Sequence, residues 1–406
     1  MSANFFRQFG PGLLVTAAFI GPGTITTASS AGAHFGFALL WALLFSLIAT
    51  IVLQEMAARL GLVTRQGLAE ALRNYFHSPI IGRSIVLLVI AAIGIGNAAY
   101  EAGNIAGAAM ALELIGPVNS NVWTVIIGAA AAGLLMMGHY RILESVLILL
   151  VLAMSSVFLI TAWHTQPSLS AMLSGITRPS LPDGSIMTVI ALIGTTVVPY
   201  NLFLHANAVR EKWPSSIPVS QALRASRLDT GLSIGIGGLI TLAILSTSAA
   251  AFFQTHLSFS SDSLAVQLEP LLGSWAHYVF AAGLFAGGLT SAITAPLAAA
   301  YAVCGALGWR NELSAPGFRL IWILVLLTGT LFATIGSKPM TAIIFAQVAN
   351  GFLLPVVAVF LLVVMNQRRL LGDYVNGPLA NLLGLLVVLV ATALGAIKLL
   401  GVSGVI

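Results

Sequence analysis

Gly21-Pro22-Gly23-Thr24 stands near the middle of one apolar run, residues 12–33, and Val198-Pro199-Tyr200-Asn201 near the middle of another, residues 187–208. Proline has no N–H to give a helix and its ring presses on the preceding turn; glycine weakens a helix further. In hydrocarbon the freed backbone groups must find partners, so a break is tolerated where it lines a cavity or packs inside protein. The two breaks fall in the first and sixth runs, five spans apart. Interrupted helices at corresponding positions of two halves point to a midplane binding site between inverted repeats. The plainer alternative is two ordinary proline kinks. One break would not choose between these readings; a matched pair favours the site.

Of the 406 residues, 58% are hydrophobic and 7% charged, whereas a soluble domain carries roughly a quarter charged residues. So few polar side chains cannot cover a soluble surface. Apolar runs of spanning length lie near 12–33, 36–58, 84–115, 121–138, 143–163, 187–208, 229–254, 276–307, 317–336, 340–366 and 379–400. They predict an all-α polytopic membrane protein of eleven transmembrane helices in one transporter domain, 1–406. The runs from Ser84 and from His277 exceed the about 20 residues a bilayer needs, so those helices tilt or project.

The span count can be tested by charge. Arg7, Arg59, Arg65, Arg73, Arg83, Arg141, Arg210, Lys212, Arg224, Arg227, Arg310, Arg319, Arg368 and Arg369 all fall on one side if the count is right; only Arg178, Lys338 and Lys398 fall on the other. Cytoplasmic loops carry the positive excess, which puts the N-terminus inside and the C-terminus outside. A bacterial inner membrane is the expected location. The first run has no small-residue cleavage site after it and reads as a retained span rather than a signal peptide. The net charge of +5 is thus a topological signal, and no aromatic-and-basic pattern for nucleic acid accompanies it. Cys304 is the single cysteine, which excludes an intrachain disulfide and reads as a small buried apolar residue. Neither a nucleophile–base constellation nor a phosphate loop is present, so an enzyme is not expected. Small residues at helix-contact spacing, Gly103 and Gly107, Gly231 and Gly235, Gly283 and Gly287, read as close packing.

Several of these stretches resemble a known family. Gly10-Pro11-Gly12 through Gly21-Pro22-Gly23-Thr24, then Gln54-Glu55-Met56-Ala57-Ala58-Arg59-Leu60-Gly61, is similar to the NRAMP (natural resistance-associated macrophage protein) divalent-metal transporters. So are Pro199-Tyr200-Asn201-Leu202-Phe203-Leu204-His205 and Arg368-Arg369-Leu370-Leu371-Gly372-Asp373-Tyr374, with Asn376 and Asn381 following. The resemblance covers nearly the whole chain. It implies a LeuT-type fold of two inverted five-helix repeats, approximately 12–163 and 187–366, with an eleventh helix at 379–400. It also implies secondary active, proton-coupled uptake of a cation, with protons as coupling ion and no other cofactor.

The departures are informative. Where the family has Asp-Pro-Gly-Asn in span 1, this chain has Gly21 and Thr24 in place of the aspartate and asparagine. Where the family has Ala-x-x-Met-Pro-His in span 6, this chain has Thr195, Val198 and Tyr200 around Pro199. The altered substrate site expected from the resemblance is therefore Gly21, Thr24, Thr195, Val198 and Gln347, the last matching a family glutamine. A lost thioether relaxes preference for softer ions. A lost carboxylate weakens the site for any divalent ion, since hydroxyls and carbonyls compensate dehydration less well. These changes weigh against Mn and Fe by the usual site and leave open a partly hydrated Mg²⁺ held by Thr24, Thr195 and freed carbonyls. A small anionic or zwitterionic solute on the same fold is the alternative, because broken helices expose positive dipole ends. A non-transporting sensor is the remote third reading. The partners expected are the small transported ion or solute and membrane lipid, with no nucleic acid and no obligate protein partner.

Ionisable groups inside a span are rare and are functional candidates by default. Glu101 lies mid-span in helix 3, at the place of a family aspartate that resembles a proton acceptor. Asn104, on the same face, takes the place of a family glutamate. His205 matches a family histidine and has a side chain suited to proton relay. Glu101, Asn104, Tyr200 and His205 make the expected proton pathway, each with a structural hydrogen-bonding role as its alternative. Glu55 with Arg59, Glu144 with Arg141, and Asp229 with Arg227 read as end-of-helix ion pairs that gate or fasten. Glu113 reads as solvent-exposed.

Overall fold

The computed structural model describes residues 10–12, 15, 16, 20–76, 79–138, 141–335 and 338–402, and all regular structure among them is helical. In chain order the helices that position the site are α1 (Pro22–Phe35), α2 (Leu40–Thr64), the short α3 (Leu68–Tyr75), α4 (Pro79–Ile90), α5 (Gly96–Glu113), α6 (Ser120–Met137) and α7 (Arg141–His164). They are followed by α8 (Ile186–Thr196), α9 (Pro199–Lys212), α10 (Val219–Ser248), α11 (Ala276–Leu307), α12 (Pro316–Ile335), α13 (Pro339–Met365) and α14 (Pro378–Val402). A π-helical turn, Ala91–Ile95, joins α4 to α5 into one span.

Ten helices among the described residues are long and apolar enough to cross a membrane. They coincide with the second to eleventh expected spans. Helix α1 is the second half of span 1, and most of the first half lies outside the described residues. The surface is built for lipid: Leu44, Ile48, Leu149, Leu327, Leu382 and Leu389 are exposed on outward faces, where water would make them a liability. The interior is closed by alanine and glycine, which allow backbones to approach.

Span 7 starts at Val219, ten residues before the expected 229. The added turns carry Ser220, Gln221, Arg224 and Arg227, so hydropathy does not register them. Yet Ala222 and Leu223 pack in a separate apolar cluster with Ala58, Leu62, Val209 and Trp213. The glycine pairs divide likewise. A Cβ on Gly107 would strike Pro22, and one on Gly283 would strike Met154, but a Cβ on Gly231 or Gly235 meets nothing within 4 Å. The expectation that Gly231 and Gly235 make a helix contact is therefore corrected; they lie on an open stretch of α10.

The connections that carry the positive excess meet at one end of the bundle. Arg59 donates to the Tyr374 carbonyl at 2.7 Å and to Asn376 Oδ1 at 2.8 Å, and it forks onto Glu55 at 3.0 and 3.2 Å. Arg210 pairs with Glu70 at 3.0 Å, Asn311 donates to Glu70 at 2.9 Å, and Arg73 donates to the Gly305 carbonyl at 3.0 Å. The loops 2–3, 6–7, 8–9 and 10–11 thus lie together, as the charge count requires. At the opposite end Trp41 donates to the Ser180 carbonyl at 2.9 Å, tying loop 5–6 to the start of α2.

Two of the expected ion pairs can be followed. Glu55 and Arg59 do pair. Arg227 does not pair with Asp229; it reaches Glu55 at 2.8 Å instead. Asp229 turns the other way and accepts from the backbone N–H groups of Gly10 at 3.3 Å and Gly12 at 2.7 Å. Those groups begin the first span, where a carboxylate satisfies orphan donors and the positive end of the dipole. The side chains of Arg141 and Glu144 lie outside the described residues. Glu113 is exposed, as expected, and accepts from the Ser120 N–H at 3.2 Å.

Candidate functional site

Both breaks have the same construction. Pro22 is the first residue of α1, preceded by Gly21 in extended backbone; Pro199 is the first residue of α9, preceded by Val198, also extended. Proline suits this first position because its missing N–H is an orphan there anyway. Each proline therefore starts a half-helix rather than bending a whole one. Pro199 has a second consequence: it would have been the helical donor to the Thr195 carbonyl and has no N–H to offer. Thr195, near the end of α8, brings both a hydroxyl and a released carbonyl to the break.

The two breaks touch. Thr24 Oγ1 lies 2.8 Å from Thr195 Oγ1, a buried bond between hydroxyls 171 positions apart. Gln347 of α13 sits in the fork between them. A Cβ on Gly23 would overlap the Gln347 amide, and a Cβ on Gly194 would overlap the Gln347 backbone oxygen. Gln347 Oε1 is buried without a partner. On the other flank a Cβ on Gly21 would stand 2.9 Å from Ser291 Oγ of α11. Thr24, Thr195, Val198 and Gln347 are 0–1% exposed, so the site is closed to both ends. The oxygens present are hydroxyl, amide and carbonyl. Among the described residues no three His, Cys, Asp or Glu side chains cluster to hold a metal ion.

The expected proton pathway is brought together in part. Glu101 and Asn104 share a face of α5, and Asn104 Nδ2 donates to Glu101 Oε2 at 3.3 Å. Glu101 Oε1 is buried without a partner. The stem of Glu101 packs against α12, where a Cβ on Gly329 would come 2.6 Å from Glu101 Cβ. Next to it in the chain, Tyr100 meets Tyr200 edge to face with ring centroids 5.4 Å apart. Tyr200 is the second residue of α9, so an aromatic pair connects the Glu101 neighbourhood to the second break. His205 lies apart: its Nδ1 donates to Gln54 Oε1 of α2 at 2.9 Å, while Nε2 is buried without a partner.

A neutral cluster missed by sequence reasoning closes the end opposite the arginines. Gln267 Nε2 donates to Ser29 Oγ at 3.0 Å and to the Leu264 carbonyl at 2.8 Å, and Thr247 Oγ1 donates to Gln267 Oε1 at 3.2 Å. Ser248 Oγ donates to the Ser29 carbonyl at 2.6 Å. Gln267 belongs to a short 3-10 segment, Leu264–Leu268, in a stretch without periodicity, so no signal singled it out.

The description "Natural resistance-associated macrophage protein-like" matches residues 12–401. The chain belongs to the Nramp family. It is an integral membrane protein and is 28% identical over 403 residues to the divalent metal cation transporter MntH of Erwinia tasmaniensis, covering 98% of this chain and 95% of that one. The manganese transporter of Eremococcus coleocola, solved with an aromatic bis-isothiourea substituted compound, superposes with a TM-score of 0.77 at 22% identity, covering 97% of this chain and 86% of that one. MhsT, solved with L-phenylalanine, superposes at 0.59 and 15% identity, covering 96% and 97%. The fold is the LeuT type, as expected.

With the fold in place, the stretches that resemble the Nramp family acquire physical reasons. In Gln54 to Gly61, Gln54 holds His205, Glu55 and Arg59 pair and tie α2 to the link before α14, and a Cβ on Gly61 would overlap the Ala206 backbone oxygen. Asn376 Nδ2 donates to Asn381 Oδ1 at 3.0 Å, and Asn381 and Asn366 exchange bonds of 2.7 and 2.9 Å. That ring fixes the link into α14.

Proposed function

We propose that this chain is a proton-coupled secondary transporter of a divalent cation, with a substrate site of neutral oxygens at the two helix breaks. The observation that carries the reading is the Thr24–Thr195 hydroxyl bridge with the released Thr195 carbonyl beside it. Oxygen ligands without sulfur or nitrogen suit hard cations. Mg²⁺ dehydrates reluctantly and keeps several waters, so a site without carboxylate can take it partly hydrated. Thr24, Thr195, Gln347 and backbone carbonyls would contact the ion or its waters, with Gly21 and Val198 leaving room where the resemblance implies larger ligands. The relatives named as a divalent metal cation transporter and a manganese transporter support cation over solute. Repeats 12–163 and 187–366 would move against each other, with Glu55, Arg59 and Arg227 as a charged latch at one end and Gln267 with Ser29 as a neutral latch at the other, opened in turn. The basic end would face the cytoplasm of a bacterial inner membrane.

Glu101 would carry the coupled proton, with Tyr200 and His205 along the way. The test is flux of Mg²⁺, Ca²⁺ and Mn²⁺ into proteoliposomes with an internal pH dye. Cation entry with acidification is the expected result. An imposed gradient of one pH unit is worth about tenfold in accumulation for one coupled proton, and Glu101→Gln is expected to remove that gain. Acidification that survives Glu101→Gln would assign the proton elsewhere.

A second reading has one observation behind it. Both α1 and α9 begin at the breaks, and helix N-termini present N–H donors that suit an anionic group. A small anion or zwitterion would then replace the cation. Absence of flux for every metal, from protein shown to be folded, together with thermal stabilisation by anionic or zwitterionic solutes, would favour it.

A further inference from the structure

We infer that Ser291 of α11 supplies a substrate-contacting oxygen at the first break, in the space left by the missing side chain of Gly21, and so helps set which cation the site accepts. The inference rests on the cation reading given above. Ser291 is fully buried and its hydroxyl has no partner. A serine or threonine inside a helix ordinarily returns its hydroxyl to the carbonyl four residues back. On the same helix Thr290 does so at 2.7 Å and Thr294 at 2.9 Å. Ser291 does not. Its hydroxyl is turned toward the break, where a Cβ on Gly21 would lie 2.9 Å from Oγ but 3.9 Å from the serine Cβ.

The backbone holds it there. One turn earlier, a Cβ on Gly287 would lie 3.3 Å from the Gly21 Cα and 3.5 Å from the Ile20 carbonyl oxygen. Helix α11 is therefore pressed against the broken segment, with the Ile20 carbonyl oxygen beside it one turn before Ser291. A buried hydroxyl left unpaired costs stability, so an unpaired one turned toward a helix break marks a ligand position. Its chemistry is that of a hard, neutral oxygen, matching Thr24, Thr195 and the unpartnered Gln347 Oε1. The combination of Gly21 with Ser291 moves the oxygen donor from span 1 to span 8 and removes its charge.

Four proteins in proteoliposomes test this: wild type, Ser291→Ala, Gly21→Ala and the double variant, with Mg²⁺ and Mn²⁺ as probes. Ser291→Ala removes only an unpartnered hydroxyl, so its melting temperature is expected to hold. Half-saturation for Mg²⁺ is expected to rise at least about tenfold, as when a metal site loses a supporting partner. In Gly21→Ala the new methyl displaces the hydroxyl and should give the same loss. The double variant, whose Cβ atoms fit at ordinary contact, should be no worse than either single, because both singles remove one interaction. Ser291→Cys should raise the Mn²⁺-to-Mg²⁺ preference, since sulfur favours the softer ion.

Wild-type half-saturation in Ser291→Ala, or effects of the two singles that multiply in the double, would overturn the assignment. A Ser291→Cys variant with unchanged preference would do the same. A wild type that moves no metal would instead overturn the cation reading, and it is measured first.

Discussion

Arg59→Ala is expected to unlatch the basic end of the bundle. The Arg59 side chain is 7% exposed and makes four hydrogen bonds to three groups: two to Glu55, one to the Tyr374 carbonyl and one to Asn376 Oδ1. Glu55 keeps Arg227 at 2.8 Å after the substitution, so its charge is not stranded. The Tyr374 carbonyl and Asn376 Oδ1 lose their donor, and each unsatisfied acceptor costs about 1–3 kcal/mol when buried. Because the Tyr374 carbonyl is only part-buried, the sum falls in the lower range, roughly 2–4 kcal/mol, visible as a lower melting temperature in detergent. Arg59→Lys should recover little, because an ammonium cannot reproduce the planar fork. The latch joins α2 of the first half to the link before α14, so its loss also biases which end opens. Each 1.4 kcal/mol taken from the closed arrangement raises the open fraction about tenfold. Ala58→Cys in a Cys304→Ser background reports this: Ala58 is 1% exposed and sealed by Trp213 and Leu223. Maleimide labelling of that cysteine is expected to be slow alone and at least about tenfold faster with Arg59→Ala. Equal labelling in both would mean that the latch does not hold this end shut.

The two latches differ in kind, and that difference decided what could be read beforehand. The charged one is built from Glu55, Arg59 and Arg227, residues that stand out against 7% charged composition. Their presence near span ends was legible; their pairing was not. Asp229 and Arg227 are two apart on a helix and face different ways, so Arg227 reaches α2 while Asp229 caps span 1. The neutral latch rests on Gln267, which looks like any polar residue between spans, and on Ser29, one small hydroxyl among several inside span 1. Pro22 and Pro199 were legible because proline alters backbone chemistry wherever it stands. That they start half-helices, each after an extended residue, depends on what packs across the gap. Ser291 was invisible for a plainer reason. Its neighbours Thr290 and Thr294 have the same residue chemistry, and only the approach of Gly21 separates its hydroxyl from theirs. The early start of α10 at Val219 escaped because its first turns bury one narrow stripe, Ala222 and Leu223, and expose arginine elsewhere.

Gly194→Ala is expected to leave a folded protein whose cation flux falls about a hundredfold. A Cβ at residue 194 would overlap the Gln347 carbonyl oxygen and lie 2.6 Å from the Gly351 N–H nitrogen. Both are backbone atoms of α13, so no side chain can swing aside. The reverse contact is equally close, since a Cβ on Gly351 would lie 2.6 Å from the Ile190 carbonyl oxygen. Alanine gains about 1 kcal/mol of helix propensity over glycine, but forcing apart a packed contact costs about 1–3 kcal/mol. The balance is a modest destabilisation, not unfolding. The functional effect is larger because Thr195 adjoins residue 194 and Gln347 is the residue struck. Separating α8 from α13 moves both oxygens and strains the 2.8 Å Thr24–Thr195 bond. Misplacing positioned groups by an ångström can cost about a hundredfold in rate, and a loss of that order in cation flux is expected. Gly235→Ala is the matched control: the same substitution, on α10, where a Cβ meets nothing within 4 Å. It should leave flux unchanged and raise the melting temperature slightly. Wild-type flux in Gly194→Ala would mean that α8 and α13 do not meet at this glycine, and the oxygen site built on that contact would fall with it.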